Sequence, residues 1–243
     1  MVRIVSILFA GLLIGACGGS ASLATASPAT TVAATPAAST PAATASTPAA
    51  TSAATASTSS AATSTWTIGS ASKAVVSVRE QLVGVNLPSD AVLTATGGAG
   101  TFGLKSDGTF SNDSKITFDL TTLSSDSRDR DNFVKQDTLQ TRQFPKAEFV
   151  PTKTSGLSLP LASTGTFTFT LTGNLTIHGK TKEVTFNVVA KRNGADLTAT
   201  ATLAPTVKFG DFGMSAPSVP FRVVSVVDEI RLVVEITATG AAT

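Results

Sequence analysis

Residues 164–191 read TGTFTFTLTGNLTIHGKTKEVTFNVVAK, and the fold turns on this stretch. Phe167, Phe169, Leu171, Leu175 and Ile177 share one parity, and threonines take most of the other. After HGKT the alternation resumes with Val184, Phe186, Val188 and Ala190. A period of two marks a β-strand with one apolar and one wet face, so the stretch reads as two long strands. His178-Gly179 between them reads as a hairpin turn in which glycine supplies a positive φ. His178 is the only histidine of the chain. No second imidazole exists to complete a zinc site with it, and no motif supplies it with a nucleophile, so it is read as a structural turn residue.

The same periodicity extends outward. Leu197, Ala199, Ala201 and Leu203 alternate, as do Ile230, Leu232, Val234 and Ile236, and earlier Val76 with Val78 and Ile116, Phe118 with Leu120. Eight strands are expected, near 73–82, 92–105, 114–121, 146–154, 164–177, 182–191, 196–208 and 228–238. Thirteen phenylalanines and no tyrosine suit a β core rich in Phe, Val, Leu and Thr. Several strands are long for a sandwich. Long antiparallel strands with one wet face point to an all-β, eight-stranded up-and-down barrel, whose closure removes exposed edges. Gly173, inside a long strand, predicts a bend or bulge. SSDSRDRDNFVKQDTLQTRQFP, residues 124–145, loses the alternation and is densely charged. It predicts one short helix near 127–137, capped by Ser124, Ser125 or Asp126, with Pro145 ending the segment. Arginines fill the gaps where a calcium loop needs oxygen ligands, so the charges read as a solvated, ion-paired helix start.

The first 16 residues, MVRIVSILFAGLLIGA, place Arg3 before an apolar run from Ile4 to Ile14. That run is too short to cross a bilayer and suits a secretion signal. Small residues then precede Cys17, the only cysteine, in a pattern that resembles a bacterial lipobox. On that reading Cys17 is the site of lipid attachment and the protein is an extracytoplasmic, membrane-anchored lipoprotein of the periplasm or cell surface. From 18 to 65 there is no charge, only Ala, Thr, Ser and Pro in loose repeats with a few other small residues. Residues 17–65 are therefore expected to form a tether with an end-to-end distance of about 40 Å. Residues 66–243 are expected to form the folded domain.

Composition narrows the function. The formal charge is only +2, too weak a bias for nucleic acid as a partner. One cysteine allows neither an internal disulfide nor a thiolate metal site. No G-x-S-x-G elbow, dinucleotide fingerprint or P-loop occurs. Glu80, Asp90, Asp119, Glu148, Glu183, Asp211 and Glu229 are scattered without a spacing that favours a catalytic pair. The sequence reads as a binding protein and not as an enzyme, with no metal.

Three segments carry a family resemblance. LTGNLTIHGKTKEVTFNV (171–188), SRDRDNFVKQDTLQTRQFPKAEFVPT (127–152) and FGDFGM (209–214), followed by a terminal DEIRLVVEI (228–236), resemble, in order, the motifs of the YceI-like family. The resemblance implies an extended antiparallel barrel, lipocalin-like in shape, in secreted or periplasmic proteins, some of which bind polyisoprenoid lipids. It implies further that Arg130, Asp131, Asn132 and Phe133 pack at the barrel mouth, and that Phe118, Phe149, Phe167, Phe169 and Phe186 point into the lumen. Leu171 and Val188 share the inward parity read from the alternation. The chain departs from the family pattern before DFGM, where Phe209-Gly210 stand and Lys208 is the nearest base. Inward faces made of Phe, Leu, Val and Ala would accept a hydrocarbon chain, each buried CH₂ contributing about 0.8 kcal/mol. The expected ligand is an isoprenoid-type lipid, a polyprenyl chain or a quinone, with no other cofactor. The alternative is a ligand-free structural or interaction module with a filled lumen. Oligomeric state is left open.

Overall fold

The hairpin that opens the sequence reading is the longest paired unit of the molecule. In the computed structural model, which describes residues 63–240, β7 (Thr164–Ile177) and β8 (Lys180–Asn193) pair antiparallel from Thr164–Asn193 to Ile177–Lys180. His178 and Gly179 form the two-residue turn, with φ of 51° and 70°. Positive φ at both positions is the type I′ geometry whose twist matches paired strands. The His178 ring packs on Phe144 at 4.6 Å between centroids. A Cβ on Gly179 would stand 2.8 Å from the same Phe144 ring, so glycine is required here for space as well as for φ.

The remaining strands are β1 (Thr63–Ile68), β2 (Lys73–Leu82), β3 (Ser89–Thr96), β4 (Ala99–Lys105), β5 (Lys115–Asp119), β6 (Lys146–Ser155), β9 (Asp196–Leu203) and β10 (Val223–Gly240). They form one antiparallel sheet in the order β1-β4-β5-β6-β7-β8-β9-β10-β2-β3, and β1 also pairs with β10. That last pairing closes a ring of eight strands, as expected. β1 and β2 are one long strand interrupted at Gly69–Ser72, and β3 and β4 another interrupted at Gly97-Gly98. Both halves of the first lie along β10. At the interruption Ser72 Oγ donates to the Thr237 carbonyl and accepts from its N–H at 3.0 Å, replacing the missing ladder bonds.

Three local readings need correction. β1 was missed and begins at Thr63, inside the expected tether; Trp66 and Ile68 are the buried residues of an otherwise Thr/Ser strand. Gly173 does not bulge its own strand. The register shift lies opposite, between Pro151 and Lys153 of β6, and Gly173 is needed because its Cβ would meet the Phe149 ring and the Val150 carbonyl at 2.5 Å. The helix α1 (Arg128–Phe133) is capped by Ser127, whose Oγ accepts from the Arg130 N–H, and continues as a π turn, Val134–Thr138. Ser125 instead donates to Asp131 Oδ1 at 2.6 Å. The signal segment, Cys17 and the tether up to residue 62 lie outside the described residues.

The two ends of the barrel differ. At the narrow end, where β1 starts, Trp66 stacks on Phe102, which meets Phe110 edge-on. The buried Arg192 lies 4.8 Å over the Trp66 ring and donates to the carbonyls of Leu161, Ala162 and Gly194. A charged group is tolerated there because carbonyl acceptors and the aromatic face replace its water. At the wide end stand the β2–β3 loop, α1 with its π turn, the β7–β8 turn and the segment between β9 and β10.

Candidate functional site: a two-chambered lumen

Strand parity turns alternate strand side chains inward, and the helical segment and the loops at the wide end supply the rest of the lining. The wide end encloses an upper chamber of about 860 Å³, walled by Val76, Val78 and Leu93 of β2 and β3, by Phe133, Val134 and Leu139 of the helical segment, and by Phe209, Met214 and Phe221 between β9 and β10. Below it a lower chamber of about 130 Å³ is lined by Phe118, Phe149, Leu171, Leu175, Phe186 and Phe212, with Ala201 leaving space on β9. Val76, Leu120, Leu123, Ile177 and Ile230 border both chambers and form the waist between them. The Phe149 and Phe186 rings meet edge-on at 5.3 Å in the lower wall.

Of the residues assigned to the lumen from sequence, Phe118, Phe149, Leu171 and Phe186 border the lower chamber and Phe133 the upper. Phe167, Phe169 and Val188 border neither. They keep the inward parity, opposite Ala190 and each other across β7 and β8, but lie toward the narrow end, where the interior is filled. Parity gives the face of a strand and not the depth at which a lumen closes.

Polar groups gather at the mouth. Arg130 Nη2 donates to Glu80 Oε1 of β2 at 2.8 Å, and its Nη1 pairs with Asp126. This fastens α1 across the opening. Arg222 Nη1 meets Asp129 Oδ2 at 2.8 Å in a solvent-exposed second tie between the helix and the segment before β10. Arg130, Asn132 and Phe133 do border the upper chamber, whereas Asp131 turns to Ser125. The charged run is therefore only partly a solvated helix start, because Arg130 reaches a carboxylate fifty positions away that no local pattern announces.

In the FGDFGM element, where Phe209-Gly210 directly precede Asp211, the carboxylate finds its cation on β8. Phe209, Phe212 and Met214 are buried, the first and last facing the upper chamber and Phe212 the lower. Asp211 Oδ2 pairs with Lys182 of β8 at 2.7 Å and accepts from the Lys208 N–H. The Lys182 ammonium, with the Lys208 N–H, holds the Asp211 carboxyl below the usual carboxylate range.

A closed eight-stranded antiparallel barrel either fills its interior with side chains or leaves room for a small molecule, and here an apolar, solvent-connected space remains. A family profile described as "YceI-like domain" matches residues 66–238, and the chain belongs to that family. A UPF0312 protein of Pseudomonas putida strain W619 is 36% identical over 111 residues, 43% of this chain and 54% of that protein. Another from Pseudomonas putida F1 is 36% identical over 124 residues, 46% of this chain and 61% of that protein. The chain thus spans little more than half the length of these curated relatives. A solved structure described as a polyisoprenoid binding domain from Saccharophagus degradans superposes with a TM-score of 0.55 at 11% identity, covering 73% of this chain and 98% of that one. At that identity the likeness concerns the fold.

Proposed function

We propose that the barrel holds one isoprenoid-type lipid, a polyprenyl chain or a quinone, as a carrier and not as a catalyst. The observation behind this reading is the upper chamber of about 860 Å³ that continues into an apolar lower chamber. A volume of that order is at the upper end of roughly 300–1,000 Å³ for small-molecule sites. The tail would lie through the waist against Phe118, Phe149 and Phe186. A polar head would remain near Arg130, Asn132 and Gln136 at the mouth. The fold shared with a polyisoprenoid binding domain supports the choice of ligand class. The lipobox-like Cys17 supports a membrane-anchored, extracytoplasmic protein in reach of such lipids. Each CH₂ moved from water into the lumen contributes about 0.8 kcal/mol, so a few isoprene units give tight binding without specific hydrogen bonds.

Native mass spectrometry of the full chain purified from a bacterial host tests this. The expected result is a retained hydrophobic mass that is lost on solvent extraction and restored by adding a polyprenol or a quinone. Protein that carries no such mass and takes up neither probe would overturn the proposal.

A further inference from the structure

Part of the rim of the upper chamber is apolar on its outer surface as well as on its inner one. Leu87 is 75% exposed in the β2–β3 loop beside the exposed Val83 and Val85, and Phe221 and Val224 are 95% and 65% exposed in the segment entering β10. The two groups adjoin, because the Val83 N–H donates to the Arg222 carbonyl at 3.0 Å and Val223 pairs with Leu82. No charge occurs from Leu82 to Ser89 or from Gly213 to Phe221, and the charge that follows, Arg222, is paired with Asp129. Phe221 has φ +64°, a left-handed conformation that a bulky side chain adopts only at a cost. An aromatic ring is thus held in water by an unfavourable backbone state.

We infer that this knob is a docking surface for a lipid bilayer, which it enters so that the chamber opens onto hydrocarbon. The inference rests on the reading that the lumen takes a membrane lipid. Two observations select a bilayer over another occupant. First, Val83, Val85 and Phe221 also line the chamber, so the surface that meets the outside is continuous with the surface that would receive the ligand. Second, the chain that precedes Thr63 can bring the mouth to a membrane. The mouth stands at the far end of β1–β2 from Thr63, at most about 66 Å away for twenty residues in a strand. The 45 residues from 18 to 62 span up to about 150 Å when extended, so a chain held at Cys17 can turn its mouth to the surface that holds it. Uncharged loops carrying exposed Leu, Val and Phe enter the interfacial region of a bilayer by burying apolar area.

The test uses the full chain with Cys17→Ser, so that an introduced cysteine is its one thiol. A nitroxide is placed at Leu87→Cys or, at the opposite end, at Asp107→Cys. With vesicles of phosphatidylethanolamine and phosphatidylglycerol, the label at position 87 becomes accessible to oxygen and shielded from a water-soluble nickel relaxant, while the label at 107 stays in water. In parallel, Leu87→Asp with Val224→Asp, both outside the chamber lining, slows transfer of a fluorescent polyprenol from vesicles by about tenfold and leaves its uptake from an ethanol dispersion unchanged. Labels at 87 and 107 that are equally wet overturn the docking surface. So does spin–spin coupling at position 87 without vesicles, which assigns the knob to a second copy of the chain. Docking at 87 with no polyprenol taken up from either source retains the docking surface and rejects the ligand.

Discussion

Glu80 and Arg130 provide a direct measure of what holds α1 over the mouth. At a charge separation of about 4 Å and an effective dielectric near 20, their attraction is about 4 kcal/mol, and desolvation of Glu80 offsets much of it. In Glu80→Gln the side-chain shape is kept. The Arg130 side chain is 20% exposed and retains Asp126, itself 83% exposed, so its guanidinium is not stranded. The loss therefore falls below the 3–5 kcal/mol of a fully buried broken pair, at about 2 kcal/mol. For a domain of this size that is a fall in Tm of about 4–8 °C. Glu80→Leu with Arg130→Met removes both charges together and is expected to be no less stable than Glu80→Gln, within about 1 kcal/mol of the parent. Urea denaturation of the parent, the three variants with single changes (Glu80→Gln, Glu80→Leu, Arg130→Met) and the double variant measures the coupling. Hydrogen exchange should show the α1 amides opening faster in Glu80→Gln alone. A single-variant loss under about 0.5 kcal/mol, or losses that simply add, would refute the idea that this ion pair fastens the helix.

Two further outcomes follow from the same geometry. Gly173→Ala places a Cβ 2.5 Å from the Phe149 ring and the Val150 carbonyl, and should destabilise by about 1–3 kcal/mol while pushing Phe149 into the lower chamber; Phe149→Leu in that background should recover part of the loss in urea melts, and no recovery would place the clash on the Val150 carbonyl alone. Asp211 has a depressed carboxyl in the fold, so its pairing stabilises above the ordinary value near 3.9 and is lost as pH falls through the lower folded value. Between about pH 5 and pH 2 the urea midpoint of the parent should therefore fall more than that of Asp211→Asn, and parallel curves would remove the Lys182–Asp211 pair from the acid response.

The barrel was legible because its strands have one dry and one wet face, and β7–β8 display that contrast over fourteen residues each. β1 was hidden because TSTWTI continues the Thr/Ser composition of the segment before it, and only Trp66 and Ile68 mark the change. Ser127, the actual cap, directly follows the three expected candidates Ser124, Ser125 and Asp126, and local propensity does not rank such neighbours. Glu80–Arg130 and Lys182–Asp211 join residues far apart in sequence, so topology had to be known before either could be paired. Much of the upper chamber wall comes from residues 209–226, which show no clear period. The one signal read there was the FGDFGM motif at 209–214, which carries a resemblance and not a period.

The plug of Trp66, Phe102 and Arg192 at the narrow pole has a kinetic meaning. A vessel stoppered at one end cannot act as a conduit. Whatever settles in the lumen must back out through the doorway by which it came, so donor and acceptor have to present themselves in turn at the same threshold. For the carrier proposed above this would mean a ferry service, one passenger per crossing, and not a channel.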